Sequence, residues 1–212
     1  MTKQTVPAKE IVVIDDHSND DPASVVKRSE TFLPIRSIRL EHVHGAPYAR
    51  NEGARLTTAP YLLFLDADVV LAPDALETFS ATLDAHPECD FAYADFRWQG
   101  HLFRGQPFDL DALKSRNHIS TMSILRRDAF TGFDETLNKF QDWDLWLTMA
   151  LNGSKGVWID RVLFAASSNR KGISSWLPKV AHRIPWPILG WMPNEVRKYQ
   201  EAEAIIRKKH HL

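Results

Sequence analysis

The 212-residue chain has a single cysteine, Cys89, which excludes an intrachain disulfide framework and a cysteine zinc site and points to a reducing compartment. Long apolar runs are missing as well. In the tryptophan- and proline-rich C-terminal stretch the longest uncharged apolar run, residues 184–192, is nine residues broken by prolines, against the roughly 20 needed to span a bilayer. The first ten residues are polar and lack the apolar segment of a secretory leader. A cytoplasmic location is the expectation. Glycine is sparse, at nine, and no internal repeat or low-complexity tract is present.

What is present is an ordinary globular composition, 44% apolar and 25% charged, enough for one domain with a sizeable core and too apolar for a disordered chain. The net charge of −1 conceals an asymmetry: residues 1–150 hold 15 Lys and Arg against 23 Asp and Glu, and residues 151–212 hold 11 against four. An acidic body with a basic tail is not the body-wide basic stripe of a nucleic-acid binder, so no nucleic-acid partner is expected. A local anion, such as a diphosphate or a lipid surface, fits better.

The apolar run EIVVI (10–14) reads as a buried strand that enters a turn at Asp15-Asp16-His17-Ser18. A short helix is expected over 23–32 and a half-exposed strand over 35–43. Residues 45–58 read as a Gly-Pro turn entering a helix of small residues, and 61–65 (YLLFL) as a strand ending at Asp66-Ala67-Asp68. An amphipathic helix over 73–85 follows, with strands over 91–98 and 157–164, a strand or extended segment over 119–126, a helix after Asp142 closed by Gly153, and a terminal helix over 194–209. Strands alternating with helices predict an α/β domain with a mainly parallel sheet flanked by helices, in which ligands bind at the carboxyl ends of strands. The two strongest strands both end in carboxylates.

Asp66 and Asp68, two apart at a strand end, face one side while the chain stays extended. Hard oxygen ligands of this kind suit Mg²⁺ or Mn²⁺, with a diphosphate completing the shell. The pair also fits a solvated acidic turn. Asp142 fits a helix N-cap, with Trp143 and Trp146 as core on one helical face. Asp15, Asp16 and Ser18 fit an Asx-type turn, and His42 with His44 would share one strand face without a third metal ligand.

Taken in order, EIVVIDDHS, G-x-x-x-A-R-N-x-G-A (45–54), YLLFLDADVVLAPDAL (61–76) and GFDETLNKFQDWDLWL (132–147) resemble the family 2 glycosyltransferases, over about residues 4–164. The resemblance implies the GT-A, or nucleotide-diphospho-sugar transferase, fold. It implies that Asp16 reads a uracil-type base with Asp15 and Ser18 nearby, and that Arg50 and Asn51 lie along the nucleotide. Asp66 would approach the ribose and the metal, Asp68 would be the direct metal ligand, Asp142 the catalytic base, and Trp143 with Asp144 would hold the acceptor. Where family members commonly have Glu before the base, this chain has Gln141. The expected activity is metal-assisted, inverting transfer of a sugar from a nucleoside-diphosphate sugar, a UDP-sugar first, to a carbohydrate or lipid-linked acceptor, with Mn²⁺ or Mg²⁺ as cofactor.

Two departures shape the expectation. The family begins with a strand and helix ahead of the EIVVI strand, and this chain starts at the tail of that helix, so an N-terminally truncated GT-A domain over 1–165 is expected. The alternative is a non-catalytic nucleotide-sugar-fold module. The second departure is a basic extension over 166–212, whose residues 176–198 carry Trp, Lys179, Arg183, Arg197 and Lys198 and fit either a peripheral contact with the inner face of a membrane or a flap packing on the domain or on a second subunit of a homo-oligomer.

Overall fold

β1 (Ile11–Asp15) is built of Ile and Val, whose branched side chains favour an extended backbone. In the computed structural model, which describes residues 3–29, 34–167 and 192–212, it is followed by α1 (Pro22–Ser29) and β2 (Ile35–Arg39). β1 and β2 pair in parallel, with Asp15 opposite Arg39. Next come α2 (Ala46–Arg55), β3 (Tyr61–Leu63), β4 (Val69–Leu71), α3 (Ala75–Ala85) and β5 (Phe91–Trp98). β5 turns into β6 (His101–Phe103) through Gln99 and Gly100, both at positive φ, the backbone that a two-residue hairpin requires. α4 (Leu110–Ser115), β7 (Ile124–Arg126), α5 (Gln141–Leu151), β8 (Gly156–Ala166) and a last helix, α6 (Asn194–Lys209), complete the order.

The second sheet runs β3-β7-β5-β8-β4, with β6 added on β5. The α/β class holds, but the sheet is mixed and not mainly parallel: β5 and β8 pair in parallel, whereas β3–β7, β5–β7, β5–β6 and β4–β8 are antiparallel. The apolar pattern of a strand is the same whichever way it runs, and a two-residue link such as that between β5 and β6 permits only the antiparallel direction. Among the described residues β1 pairs with β2 alone and β3 with β7 alone.

β5 divides the core. Phe91 and Tyr93 face a cluster containing Trp143, Trp146, Leu147 and Leu113, while Ala92 and Ala94 face the other side, against Phe79, Leu83 and Leu163. This is the period of two expected of a strand buried on both faces. α6, the helix expected to end the C-terminal extension, packs on the body: Ile206 is fully buried in the first cluster, because an apolar face of a surface helix must be covered. β8 itself runs to Ala166. Cys89 is buried, and its thiol is pushed up from the usual range by desolvation and by the neighbouring Glu88 and Asp90. No helix among the described residues is long and apolar enough to cross a membrane. The Trp- and Pro-rich segment proposed for membrane or subunit contact lies outside the described residues, apart from 192–198.

Gly156 of β8 pairs in register with Phe91 of β5, and a Cβ there would overlap the fully buried Phe91 ring. Gly156→Ala is expected to lower stability by about 1–3 kcal/mol through overpacking, read as a lower urea midpoint at unchanged m-value.

Candidate active site

The end of β1 is a closed turn. Asp15 is buried; its Oδ1 accepts from the Ser18 backbone N–H at 2.8 Å and from the Ser18 hydroxyl, and its Oδ2 from Arg39 Nη1 at 2.6 Å. The Ser18 hydrogen bonds hold the carboxyl below its usual range, with Arg39 adding to the effect. Asp15 and Ser18, expected beside the nucleotide, thus close the end of β1 by bonding to each other. Asp16 uses both oxygens on backbone N–H groups, those of His44 and Gly45, each at 2.8 Å. It fastens the entrance to α2, where Gly45 stands at φ 97°, a conformation that glycine alone adopts without strain. Pro47 preorganises the first helical turn, and the His44 ring stacks on Tyr48 at 4.2 Å.

α2 aims Arg50 across the site. Its Nη2 donates to Asp66 Oδ1 at 2.8 Å and its Nη1 to Gln141 Oε1 at 2.9 Å, with the guanidinium over the Phe133 ring at 5.4 Å. The fork therefore joins α2, the β3–β4 turn and α5. Asn51, expected along the nucleotide, has its amide committed elsewhere: it donates to Phe133 O and Glu135 Oε1 and accepts from Phe133 N–H. It pins the 132–135 loop to α2.

The Asp66-Ala67-Asp68 segment is a turn and not the end of an extended strand: β3 stops at Leu63, and Val69 N–H donates back to Asp66 O at 3.2 Å. Shared exposure, not strand alternation, makes both carboxylates available, with the Asp66 side chain 44% exposed and Asp68 exposed. No group of three metal-ligating side chains gathers among the described residues. Two hard oxygen donors open to solvent nonetheless fit a Mg²⁺ or Mn²⁺ ion whose remaining ligands are diphosphate oxygens and water.

α5 begins at Gln141, after Phe140 in the left-handed conformation at φ 58°, held between the rings of Trp143 and Tyr199. A bulky residue there stores strain, a recurrent feature of functional sites. Asp142 stands inside the first helical turn and not at its cap. One of its oxygens accepts from Trp143 N–H at 2.9 Å. Burial pushes its carboxyl up from the usual range, opposed by the Trp143 N–H, by a hydrogen bond from the Asn117 side chain and by the charge of Arg50.

Trp143 and Asp144 do not fit the acceptor contact expected of them. Both are 2% exposed: the indole Nε1 of Trp143 donates to Leu113 O at 2.7 Å, and Asp144 is paired with Lys209 and His210 of the last helix. Side chains on the buried stripe of a helix cannot also meet a solvent-borne ligand. Asn117, Lys209 and His210 carried no sequence signal, since only the fold brings the α4 end and the α6 end to the start of α5.

The family model for glycosyl transferase family 2 matches residues 1–133, and the chain belongs to that family. It is 28% identical over 163 residues to an uncharacterized glycosyltransferase of Haemophilus influenzae, covering 70% of this chain and 54% of that protein. It is 30% identical over 154 residues to a PGL/p-HBAD biosynthesis glycosyltransferase of Mycobacterium bovis, covering 68% and 59%. The chain thus spans little more than half the length of these curated relatives. Among solved structures, S. aureus TarS 1-349 in complex with UDP-GlcNAc superposes with a TM-score of 0.69 at 21% identity over 99% of this chain and 66% of that one. The mannosyltransferase PcManGT of Pyrobaculum calidifontis, in complex with GDP-Man and Mn²⁺, gives 0.61 at 20% identity over 97% and 63%. The fold is that of the GT-A glycosyltransferases.

Because the Asn117 hydrogen bond favours the charged form of Asp142, Asn117→Ala is expected to move the Asp142 titration midpoint upward, measured by carboxyl ¹³C NMR; an unchanged or lower midpoint contradicts the assignment.

Proposed function

We propose that this chain transfers a sugar from a nucleoside-diphosphate sugar, a UDP-sugar first among candidates, to a hydroxyl of a carbohydrate or lipid-linked acceptor, with inversion at the anomeric carbon. The observation that carries the reading is the Arg50 fork, which sets the Asp66 turn and the Gln141-Asp142 start of α5 on either side of one guanidinium. A donor held along the Asp66-Asp68 turn would then present its anomeric carbon towards Asp142.

The chemistry of the groups supports a role for each. Asp16 shapes the loop at the base end of the donor site through its bonds to His44 and Gly45. Asp66 and Asp68 would hold Mn²⁺ or Mg²⁺. Such an ion, when bound, offsets the charge that builds on the departing diphosphate, a contribution of several kcal/mol. Asp142 accepts the proton of the acceptor hydroxyl as its oxygen bonds to the anomeric carbon, while the bond from that carbon to the diphosphate oxygen breaks and the leaving group keeps the electron pair. Attack from the face opposite the leaving group inverts the centre. The burial that raises the Asp142 carboxyl makes it a stronger base than an exposed aspartate, and general-base help of this kind is worth about 10²–10⁴-fold. The raised value also sets the pH dependence: activity should fall on the acid side at a pH above the ordinary aspartate range, where Asp142 takes up its proton.

Asp142→Asn should lower turnover with a UDP-sugar about 10²–10⁴-fold while UDP affinity, read by calorimetry, stays unchanged. Wild-type transfer rates in this variant would overturn the assignment. Asp68→Asn should abolish the Mn²⁺-dependent part of UDP binding in the same titration. UDP affinity that is equal with and without Mn²⁺ in the unaltered protein would remove the metal from the reading.

A further inference from the structure

The last turn of α6 reaches three segments: the first turn of α5, the 132–135 loop and the end of α4. Lys209 Nζ lies 2.8 Å from Asp144 Oδ1 and 2.9 Å from its Oδ2, and donates to Asp134 Oδ2 at 2.6 Å. His210 Nε2 donates to Asp144 Oδ1 at 2.8 Å, and both side chains of that pair are all but excluded from solvent, at 6% and 3% exposure. Arg207 Nη2 donates to Ser115 O at the end of α4, two residues before Asn117, and its guanidinium lies over the Trp143 ring at 5.5 Å. Asp134 belongs to the loop that Asn51 ties to α2.

We propose that the C-terminal end of α6 is a positioning clamp for Asp142. Lys209 and His210 fix Asp144, two residues further along the same helical turn, and Arg207 and Lys209 tie that turn to the Asn117 side and to the 132–135 loop. The inference rests on the reading of Asp142 as the base. The physical case is that a carboxylate as buried as Asp144 persists only when paired, so the first turn of α5 takes up its position only with the end of α6 in place. The polar groups that act on Asp142 are Arg50 from α2 and Asn117 from the loop after α4, whereas Asp144, two positions along, points to another face of α5 and is held there by Lys209 and His210. Without the Lys209 ammonium the first turn of α5 loses an anchor and Asp142 its fixed place beside Arg50, whose charge favours the ionised carboxyl. Asp134, held down to about 2 by Lys209 and Thr136, keeps its end of the clamp charged far below neutral pH.

Lys209→Met keeps most of the stem and deletes the ammonium. Its kcat is expected to fall about 10²-fold, the scale of a base misplaced by about 1 Å, with the donor KM unchanged and Lys209→Arg restoring most of the loss. Amide hydrogen exchange over residues 142–146 should quicken, and the Asp142 midpoint in ¹³C NMR should rise. Wild-type exchange and an unmoved midpoint overturn the clamp, as does a variant in which donor KM worsens as much as kcat. If Lys209→Met does not fold, the double variant Asp144→Asn with Lys209→Met, which leaves no buried unpaired charge, carries the test: quick exchange and slow turnover support the clamp, and wild-type behaviour overturns it. An unaltered protein inert with every nucleotide sugar would instead sink the reading of Asp142 as the base, and the exchange and titration measurements would still decide the clamp.

Discussion

Burial of α5 governs the rest of the site. Seven of its eleven residues are buried, among them both tryptophans and Asp144, so each polar group at its N-terminus must find a partner in the protein. Gln141 takes Arg50, Asp142 takes Asn117 and a backbone N–H, and Asp144 takes Lys209 and His210. The partners come from α2, from the loop after α4 and from α6. A helix that is core along most of its length thus recruits distant chain segments to its start, and the helix dipole favours the acids it gathers there.

The same demand explains which acids are free. Asp15 and Asp16 spend their oxygens on local N–H groups and on Arg39, and so build the loop that leads into α2. Asp68 is exposed and Asp66, although Arg50 takes its Oδ1, is 44% exposed, so the turn between β3 and β4 keeps carboxylate lone pairs for an incoming ligand. Structural acids and available acids are separated by their surroundings, although in the sequence both are pairs of aspartates that close a strand.

Much of the framework was legible because it rests on local pattern. β5 over 91–98 and the terminal helix over 194–209 coincide with their expected bounds, and α3 begins two residues inside its own, all three being long segments of clear period. β4, β6 and α4 went unread: three to six residues are too few to show a period, and β6 is defined by its hairpin with β5. Of the strand or extended segment expected over 119–126, only Ile124–Arg126 pairs as a strand, and the Ser120 and Ser123 hydroxyls before it bond to nearby backbone and compete with ladder pairing. At the site, residue types were readable and their orientation was not. Which way the side chains of Trp143, Asp144 and Asn51 point is set by α4, α6 and the 132–135 loop. The last two are contacts across 65 and 82 positions of sequence, beyond the reach of any motif.

The lone thiol has a practical corollary. Thiolate, not thiol, reacts with electrophiles, and Cys89 is both shielded and held protonated by its surroundings. In the native state the protein is therefore close to silent towards maleimides. A cysteine introduced on the surface would be the only one to couple promptly, so a fluorophore or spin label can be placed at a chosen position without first removing the natural residue.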